Sequence, residues 1–327
     1  MPKENFSMFF WGTPEFALPA LNALKKANFL ISGIVTNPDE KKGRKLAIAP
    51  PPVKKWALEN NVPVFQPESL KKEYFSARPE EEKKILSALK TADLFLVVSY
   101  GKIIPKKFLK IPPWGVLNIH PSLLPRWRGP SPIQYAILAG DSETGVTIMK
   151  IDEEMDHGPI LAQKKFLISA NTNYPELHDK LADLGAELLI ETLPKYLAGK
   201  IRPKEQNHEE AVYSRILEKK DGHIDWSLSA VEIENKIRAL TPWPSCWTVW
   251  KKNKKESRLR VDKAVIFSLS LSSGKPGLVS AGEGKLLLVC TGQGRLEIKK
   301  LTLEGKKTMD AKDFLAGNKD IIGSYLT

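Results

Sequence analysis

Asn118, His120 and Asp156 are the side chains whose types and settings best suit reaction chemistry. They sit in two short segments, Asn118-Ile119-His120-Pro121-Ser122-Leu123-Leu124-Pro125 and Met155-Asp156-His157-Gly158-Pro159-Ile160. Val116 and Leu117 read as the end of a buried strand. Residues two apart on an extended chain leave on the same face, so Asn118 and His120 point together while Ile119 points into the core. The chain then turns at Pro121. A polar-apolar-polar triplet at the exit of a buried strand is where open α/β sheets present reacting groups. An amide can donate to a developing negative charge, an imidazole titrates near neutrality, and a carboxylate can orient the imidazole or accept a proton. Taken singly, each residue also has a structural reading: Asn118 as a turn-former, His120 as a packing residue, Asp156 in an Asx-turn.

Competing chemistries find less support. The five histidines are His120, His157, His178, His208 and His223, and no two stand at helical ligand spacing, so no metal is expected. Ser122 lacks the G-x-S-x-G elbow of serine hydrolases. Gly292-Gln293-Gly294 reads as a hairpin turn, and Gly12-Thr13-Pro14 lacks the dinucleotide fingerprint.

The elements that must position these residues alternate between strand and helix. Strands are expected at 8–11, 29–36, 94–99, 115–119, 146–151 and 160–167. Helices are expected at 17–27, 52–60, 83–91, 132–139 and 174–197. The run at 94–99 is continuously apolar, as in a buried parallel strand. Such alternation specifies an α/β fold with a doubly wound, mostly parallel sheet. The polar stretch 198–210, with Gly199 and Pro203, reads as a linker between a domain at 1–197 and another at 211–327. Beyond it, one helix at 231–240 precedes short alternating runs at 247–250, 261–267, 286–290 and 296–301. Spacing of this kind suggests a small barrel.

A chain of 327 residues, 42% hydrophobic, suits two globular domains. Cys246 and Cys290 are too few for a disulfide framework, so a reducing, cytoplasmic setting is expected. No apolar run reaches membrane-spanning length, and the first seven residues resemble neither a secretory signal nor a transit peptide. The net charge of +12 is uneven: residues 211–327 hold 21 Lys and Arg against 13 Asp and Glu. Six of the ten residues 251–260 are basic, among them Lys251, Lys252, Lys254 and Lys255. The clustering favours a patch suited to a phosphate backbone over solubility charge spread evenly across the surface.

The two opening segments resemble the pattern N-x-H-x-S-L-L-P … D-x-G-P of the folate-dependent formyltransferases. Trp11-Gly12-Thr13-Pro14-Glu15-Phe16, Pro63-Val64-Phe65-Gln66-Pro67, Val97-Val98-Ser99-Tyr100-Gly101, Arg126-Trp127-Arg128-Gly129 and Glu143-Thr144-Gly145-Val146-Thr147-Ile148 are similar to further marks of that family. Ile224-Asp225-Trp226-Ser227, Thr241-Pro242-Trp243-Pro244 and Gly305-Lys306-Lys307-Thr308-Met309 resemble the branch that acts on an aminoacylated tRNA. The likeness runs from about residue 8 to about residue 316. Pro121 and His157 depart from it, standing where Gly and Thr are more usual.

The resemblance implies a Rossmann-like catalytic domain followed by an OB-like barrel. It implies transfer of the formyl group of 10-formyltetrahydrofolate to the α-amine of initiator methionyl-tRNA, with Asn118, His120 and Asp156 catalytic. The folate ring would meet the main chain of Ser122, Leu123, Leu124 and Pro125, with Val98, Ser99 and Tyr100 as another wall. Lys41, Lys42, Arg44 and Lys45, in the loop after the second strand, would enter the acceptor-stem region of the tRNA, where RNA is read by shape and unpaired ends. A monomer without membrane attachment is expected. The alternatives are formyl transfer to a small amine, such as an amino-sugar nucleotide or glycinamide ribonucleotide, and a catalytically silent RNA-binding protein.

Overall fold

Short apolar runs become the strands of a seven-stranded sheet. A computed structural model of the chain describes residues 6–42, 47–252, 255–270 and 274–327. In chain order the first elements are β1 (Ser7–Gly12), α1 (Leu18–Lys26), β2 (Leu30–Val35), a hairpin of β3 (Glu40–Lys42) and β4 (Ala47–Ala49), α2 (Pro52–Glu59) and β5 (Val64–Phe65). Then come α3 (Lys72–Ser76), α4 (Pro79–Leu89), β6 (Leu94–Val98), α5 (Lys106–Leu109), β7 (Val116–His120), α6 (Pro132–Leu138), β8 (Glu143–Lys150), β9 (Ile160–Leu167) and α7 (Tyr174–Leu197). The sheet order is β5-β2-β1-β6-β7-β8-β9. Pairings from β5 to β7 are parallel, while β8 and β9 close the edge antiparallel.

The central strands β1, β6 and β7 are buried along their whole length; β6 accordingly reads as an uninterrupted apolar run, while β7 buries Asn118 and His120 at its end. On one side Phe9, Trp11, Phe95, Val97 and Val116 join Phe75, Ile85 and Phe108 in the core. Gly185 of α7 comes so close to the sheet that a Cβ there would lie 2.8 Å from Ile119 Cγ2. Ile119 is thereby packed against α7, and its neighbours on β7 are turned to the opposite face.

Several element ends shift from the sequence expectation, β11 by six residues at its start, and two of the shifts have plain local reasons. α4 begins at Pro79, four residues before its apolar spacing does, because proline and Glu80, Glu81 and Glu82 all suit a first helical turn. β7 includes His120 and excludes Gly115, whose φ of +78° belongs to the turn closed by its N–H donating to the Pro112 carbonyl. His120 is therefore the last residue of a strand, held by its ladder.

The C-terminal part contains α8 (Ala230–Leu240), begun by a capping box between Ser229 and Glu232. β10 (Cys246–Lys252), β11 (Lys255–Ser268), β12 (Val279–Gly282), β13 (Leu286–Cys290), β14 (Arg295–Leu303), β15 (Met309–Asp310) and α9 (Ala311–Gly317) follow. These strands form an antiparallel sheet in the order β10-β11-β14-β13-β12, with β15 beside β14. Residues 325–326 bridge to Leu278 on one side and Trp250 on the other, joining the two ends of the sheet. Cys246 and Cys290 are both buried free thiols, and burial pushes Cys246 up to about 12. The chain divides into two compact units, one of residues 1–132, 143–167 and 178–214, the other of residues 133–142, 168–177 and 215–327. Among the described residues no helix is long and apolar enough to cross a membrane.

Candidate active site

Asn118 and His120 lie on β7 with 9% and 4% of their surface exposed. In the ladder Asn118 stands between Val97 and Met149, and His120 opposite Thr147. The Asn118 amide makes no hydrogen bond among the described residues, so it is available to an incoming group. His120 is more constrained. Its Nε2 lies 2.9 Å from the Trp127 carbonyl, which can only accept, so Nε2 must carry a proton. Nδ1 is then the nitrogen that can exchange one, and it faces Asp156 Oδ1 at 3.6 Å.

Asp156 is brought there by a loop of unusual backbone. Its φ is +50°, a region that non-glycine residues occupy at some cost. Its other oxygen, Oδ2, accepts the Gly129 N–H at 2.7 Å, leaving Oδ1 for His120. Gly158 closes the turn against β8, where a Cβ would lie 2.1 Å from the Lys150 carbonyl. The glycine of the D-x-G-P segment is thus required by close approach. His157 points elsewhere: its Nδ1 lies 2.7 Å from Asp152 Oδ2, and its ring stacks on His208 at 3.9 Å. Asp156 is consequently held by Gly129 and by main-chain contacts, independently of the residue that departs from the family pattern.

The segment 122–125 is tightly tied from within. Ser122 Oγ donates to the Arg126 carbonyl at 2.6 Å, so this hydroxyl holds the turn. Thr147 Oγ1 donates to the Ser122 carbonyl at 2.7 Å and accepts the Leu124 N–H at 3.1 Å. Gln163 Nε2 donates to the Leu124 carbonyl at 2.9 Å, and the Pro125 carbonyl accepts from Val212 N–H at 3.2 Å. Leu124 is buried, and Leu123 packs over Gly145. At the end of β6, Val98 is buried and Ser99 turns the chain with φ +51°. The Tyr100 side chain enters the core edge-on to Trp11, where burial pushes its hydroxyl well above the usual phenol range. Only the Tyr100 main chain borders the strand ends, its carbonyl accepting from Thr13 Oγ1 and Asn37 Nδ2.

Of the basic residues singled out in the sequence, Arg44, Lys45 and Lys254 lie outside the described residues. Lys41 and Lys42 are described only as backbone of β3. Lys251, Lys252 and Lys255 stand at the end of the β10–β11 hairpin. Lys251 pairs with Glu256 and Lys252 with Asp320, each at 3.0 Å between exposed side chains. Such pairs are weak and open readily to a competing anion. Nearby, the Arg258 guanidinium lies 3.9 Å over the Trp247 ring. Among the described residues no group of three or more His, Cys, Asp or Glu side chains is arranged to hold a metal ion.

The sequence reading missed Gly129, Arg128, Thr147 and Gln206 as supports of the site. The first three lie in stretches already marked as motifs, yet nothing in their types discloses a hydrogen bond across the fold. Gly129 has φ +104°, and a Cβ there would meet the Ser214 carbonyl at 2.5 Å. Gly129→Ala is therefore expected to destabilise the chain by roughly 1–3 kcal/mol and to displace the N–H that holds Asp156. Urea unfolding beside a turnover assay checks this; a variant with unaltered stability would mean the backbone there can rearrange.

Residues 4–193 match the family described as formyl transferase, and residues 216–319 match the formyl transferase C-terminal domain. The methionyl-tRNA formyltransferase of Marinobacter nauticus is 42% identical over 313 residues, covering 96% of each chain. That of Chloroflexus aggregans is 43% identical over 312 residues, covering 95% of this chain and 96% of its own. Among solved structures, WlaRD, a sugar 3N-formyl transferase, superposes with a TM-score of 0.64 at 18% identity, covering 93% of this chain and all of its own. HypX of Aquifex aeolicus, solved with tetrahydrofolic acid, gives a TM-score of 0.60 at 19% identity, covering 95% of this chain and 46% of its own. At such identities the likeness to these two is one of fold.

Proposed function

The chain belongs to the formyl transferase family, and we propose that it moves the formyl group of 10-formyltetrahydrofolate to the α-amine of initiator methionyl-tRNA. Its near-full-length kinship is with methionyl-tRNA formyltransferases, while the sugar-directed enzymes share the fold at much lower identity. The observation that carries the chemistry is the meeting of His120 Nδ1 with Asp156 Oδ1 at 3.6 Å, one residue pair along β7 from an unengaged Asn118 amide.

Formyl transfer makes a bond between the acceptor nitrogen and the formyl carbon and breaks the bond from that carbon to the folate nitrogen. Asn118 donates its amide N–H to the formyl oxygen as negative charge develops there. His120 donates through Nδ1 to the same oxygen. Its Nε2 proton is retained by the Trp127 carbonyl throughout. Asp156 accepts the proton that the attacking amine must lose, directly or through a water, and the His120–Asp156 pair returns one to the departing nitrogen. The buried strand end and the apolar Leu123–Leu124 turn keep these donors in a medium where each is worth more than in water. In this reading the main chain of residues 122–125 and 98–100 borders the folate ring, and the protein acts in the cytoplasm.

Label transfer from 10-formyltetrahydrofolate to methionyl-tRNA, free methionine, an amino-sugar nucleotide and glycinamide ribonucleotide tests the assignment. Methionyl-tRNA should be formylated far faster than the others; preference for a small amine would replace this reading.

The tRNA is assigned to two basic stretches of the sequence, one holding Lys41, Lys42, Arg44 and Lys45 and the other Lys251, Lys252, Lys254 and Lys255. Each phosphate contact by a Lys or Arg steepens the fall of affinity with salt by about 0.7–0.9 log unit per log unit of salt. Neutralising Lys251, Lys252, Lys254 and Lys255 together should weaken tRNA binding and flatten that dependence, with little change in transfer to a minimal aminoacyl fragment. Binding across a salt series decides it, and an unaltered slope would mark the patch as solvated surface. Replacing Arg44 should instead lower transfer to full tRNA more than binding, because a misaimed acceptor end loses proximity to the site.

A further inference from the structure

We propose that Gln206, in the polar stretch that composition marks as a linker, is a positioning residue that holds Asp156 in its working geometry. This rests on the reading of Asp156 as a reacting group.

Gln206 is 6% exposed, and its amide is fully engaged. Nε2 donates to the Asp156 carbonyl at 2.9 Å and to the Gly158 carbonyl at 2.7 Å. Oε1 accepts from Arg128 Nε at 3.1 Å and Nη2 at 2.8 Å. No ambiguity of orientation remains, since carbonyls only accept and a guanidinium only donates. The clamp therefore spans the turn 156–158 from its main-chain side, at the residue whose φ is +50°.

Arg128 fixes the clamp in turn. It is 1% exposed and pairs with no carboxylate among the described residues. Its remaining contacts are His208 Nδ1 at 2.8 Å and the Tyr213 hydroxyl at 3.3 Å. The segment carrying Gln206 and His208 is itself anchored, with Lys204 exchanging two backbone hydrogen bonds with Ile160 of β9. Arg128 N–H and carbonyl bond to Val212 and Ser214. A buried cation satisfied by neutral groups alone, one of which grips the carbonyl of the catalytic carboxylate's own residue, is a costly arrangement for packing alone. It does what a support for Asp156 requires: Gly129 holds the carboxylate and Gln206 holds the backbone, so Oδ1 is left aimed at His120.

Gln206→Glu tests the clamp because it preserves shape and supplies Arg128 with a carboxylate, while replacing the two donors by an acceptor. Thermal stability should stay near that of the unaltered chain. The kcat for methionyl-tRNA should fall on the order of tenfold to a hundredfold, with KM for folate and tRNA little changed. In an Asp156→Asn background the same substitution should cost less than about twofold, since the residue it positions has lost its role. Gln206→Met, of similar length and without donors, should lower kcat alike, and should also lower thermal stability because Arg128 loses the acceptor of two of its hydrogen bonds. Equal losses in both backgrounds, a rise in KM with kcat kept, or failure of both variants to fold would each overturn the inference in favour of a structural role. An inactive Asp156→Asn enzyme beside a normal Gln206→Glu enzyme overturns it alone. A normal Asp156→Asn enzyme overturns the reading of Asp156 and this inference with it.

Discussion

Asn118→Ala is expected to lower kcat by roughly two to three orders of magnitude while the fold persists. The amide makes no hydrogen bond among the described residues, so its removal strips no support from the sheet. What is lost is a donor placed where charge develops. His120→Ala should cost at least as much, because it removes both a donor and the nitrogen that exchanges protons with Asp156. It should also cost stability, since His120 is buried and its Nε2–H is the partner of the Trp127 carbonyl. The two variants are thus distinguished by unfolding measurements as well as by turnover. Either protein, correctly folded and with near-normal kcat, would end this account of the chemistry.

Asp156→Asn is expected to retain the shape of the site and lose about 10²–10⁴-fold in kcat. The Gly129 N–H requires an acceptor, so the amide oxygen of the substituted residue takes the position of Oδ2. The amide nitrogen must then face His120 Nδ1. With Nε2–H already committed to Trp127, Nδ1 can only accept, and the imidazole is locked neutral. The variant can neither take the amine proton nor support an imidazolium. His157→Thr serves as the control. His157 bonds to Asp152 and stacks on His208 without touching His120, so its loss should change kcat by less than about fivefold. Comparable losses at the two positions would mean that the wrong residue of the pair had been assigned.

Much of this site is written in local patterns. Asn118 and His120 are legible because a strand alternates its side chains and Pro121 ends the strand, both consequences of chain stereochemistry alone. The buried strand β6 and the long helix α7 declare themselves by apolar runs and by spacing of three and four, and α7 begins and ends where that spacing does. The change from alternating helices and strands to short strands between turns likewise distinguishes the parallel-rich sheet from the antiparallel one. In each case the signal and the structure act over the same few residues.

What tertiary structure alone decided lies in contacts between residues far apart in sequence. Asp156 meets His120 because Gly129 and Gln206 place it, across separations of 27 and 50 residues. Nothing in the local type of a glutamine in a polar stretch discloses that its two ends face a guanidinium and two carbonyls. Tyr100 shows the reverse case. The resemblance implies it as a wall of the site; Ser99 at φ +51° turns the chain so that the aromatic core around Trp11 takes up the ring and the main chain of Tyr100 borders the strand ends. Alternation along a strand follows from local geometry and can be read directly. Which hydrogen-bonding group closes over which becomes determinate only when the sheet, the two loops and the polar stretch are packed and each buried donor must find its acceptor.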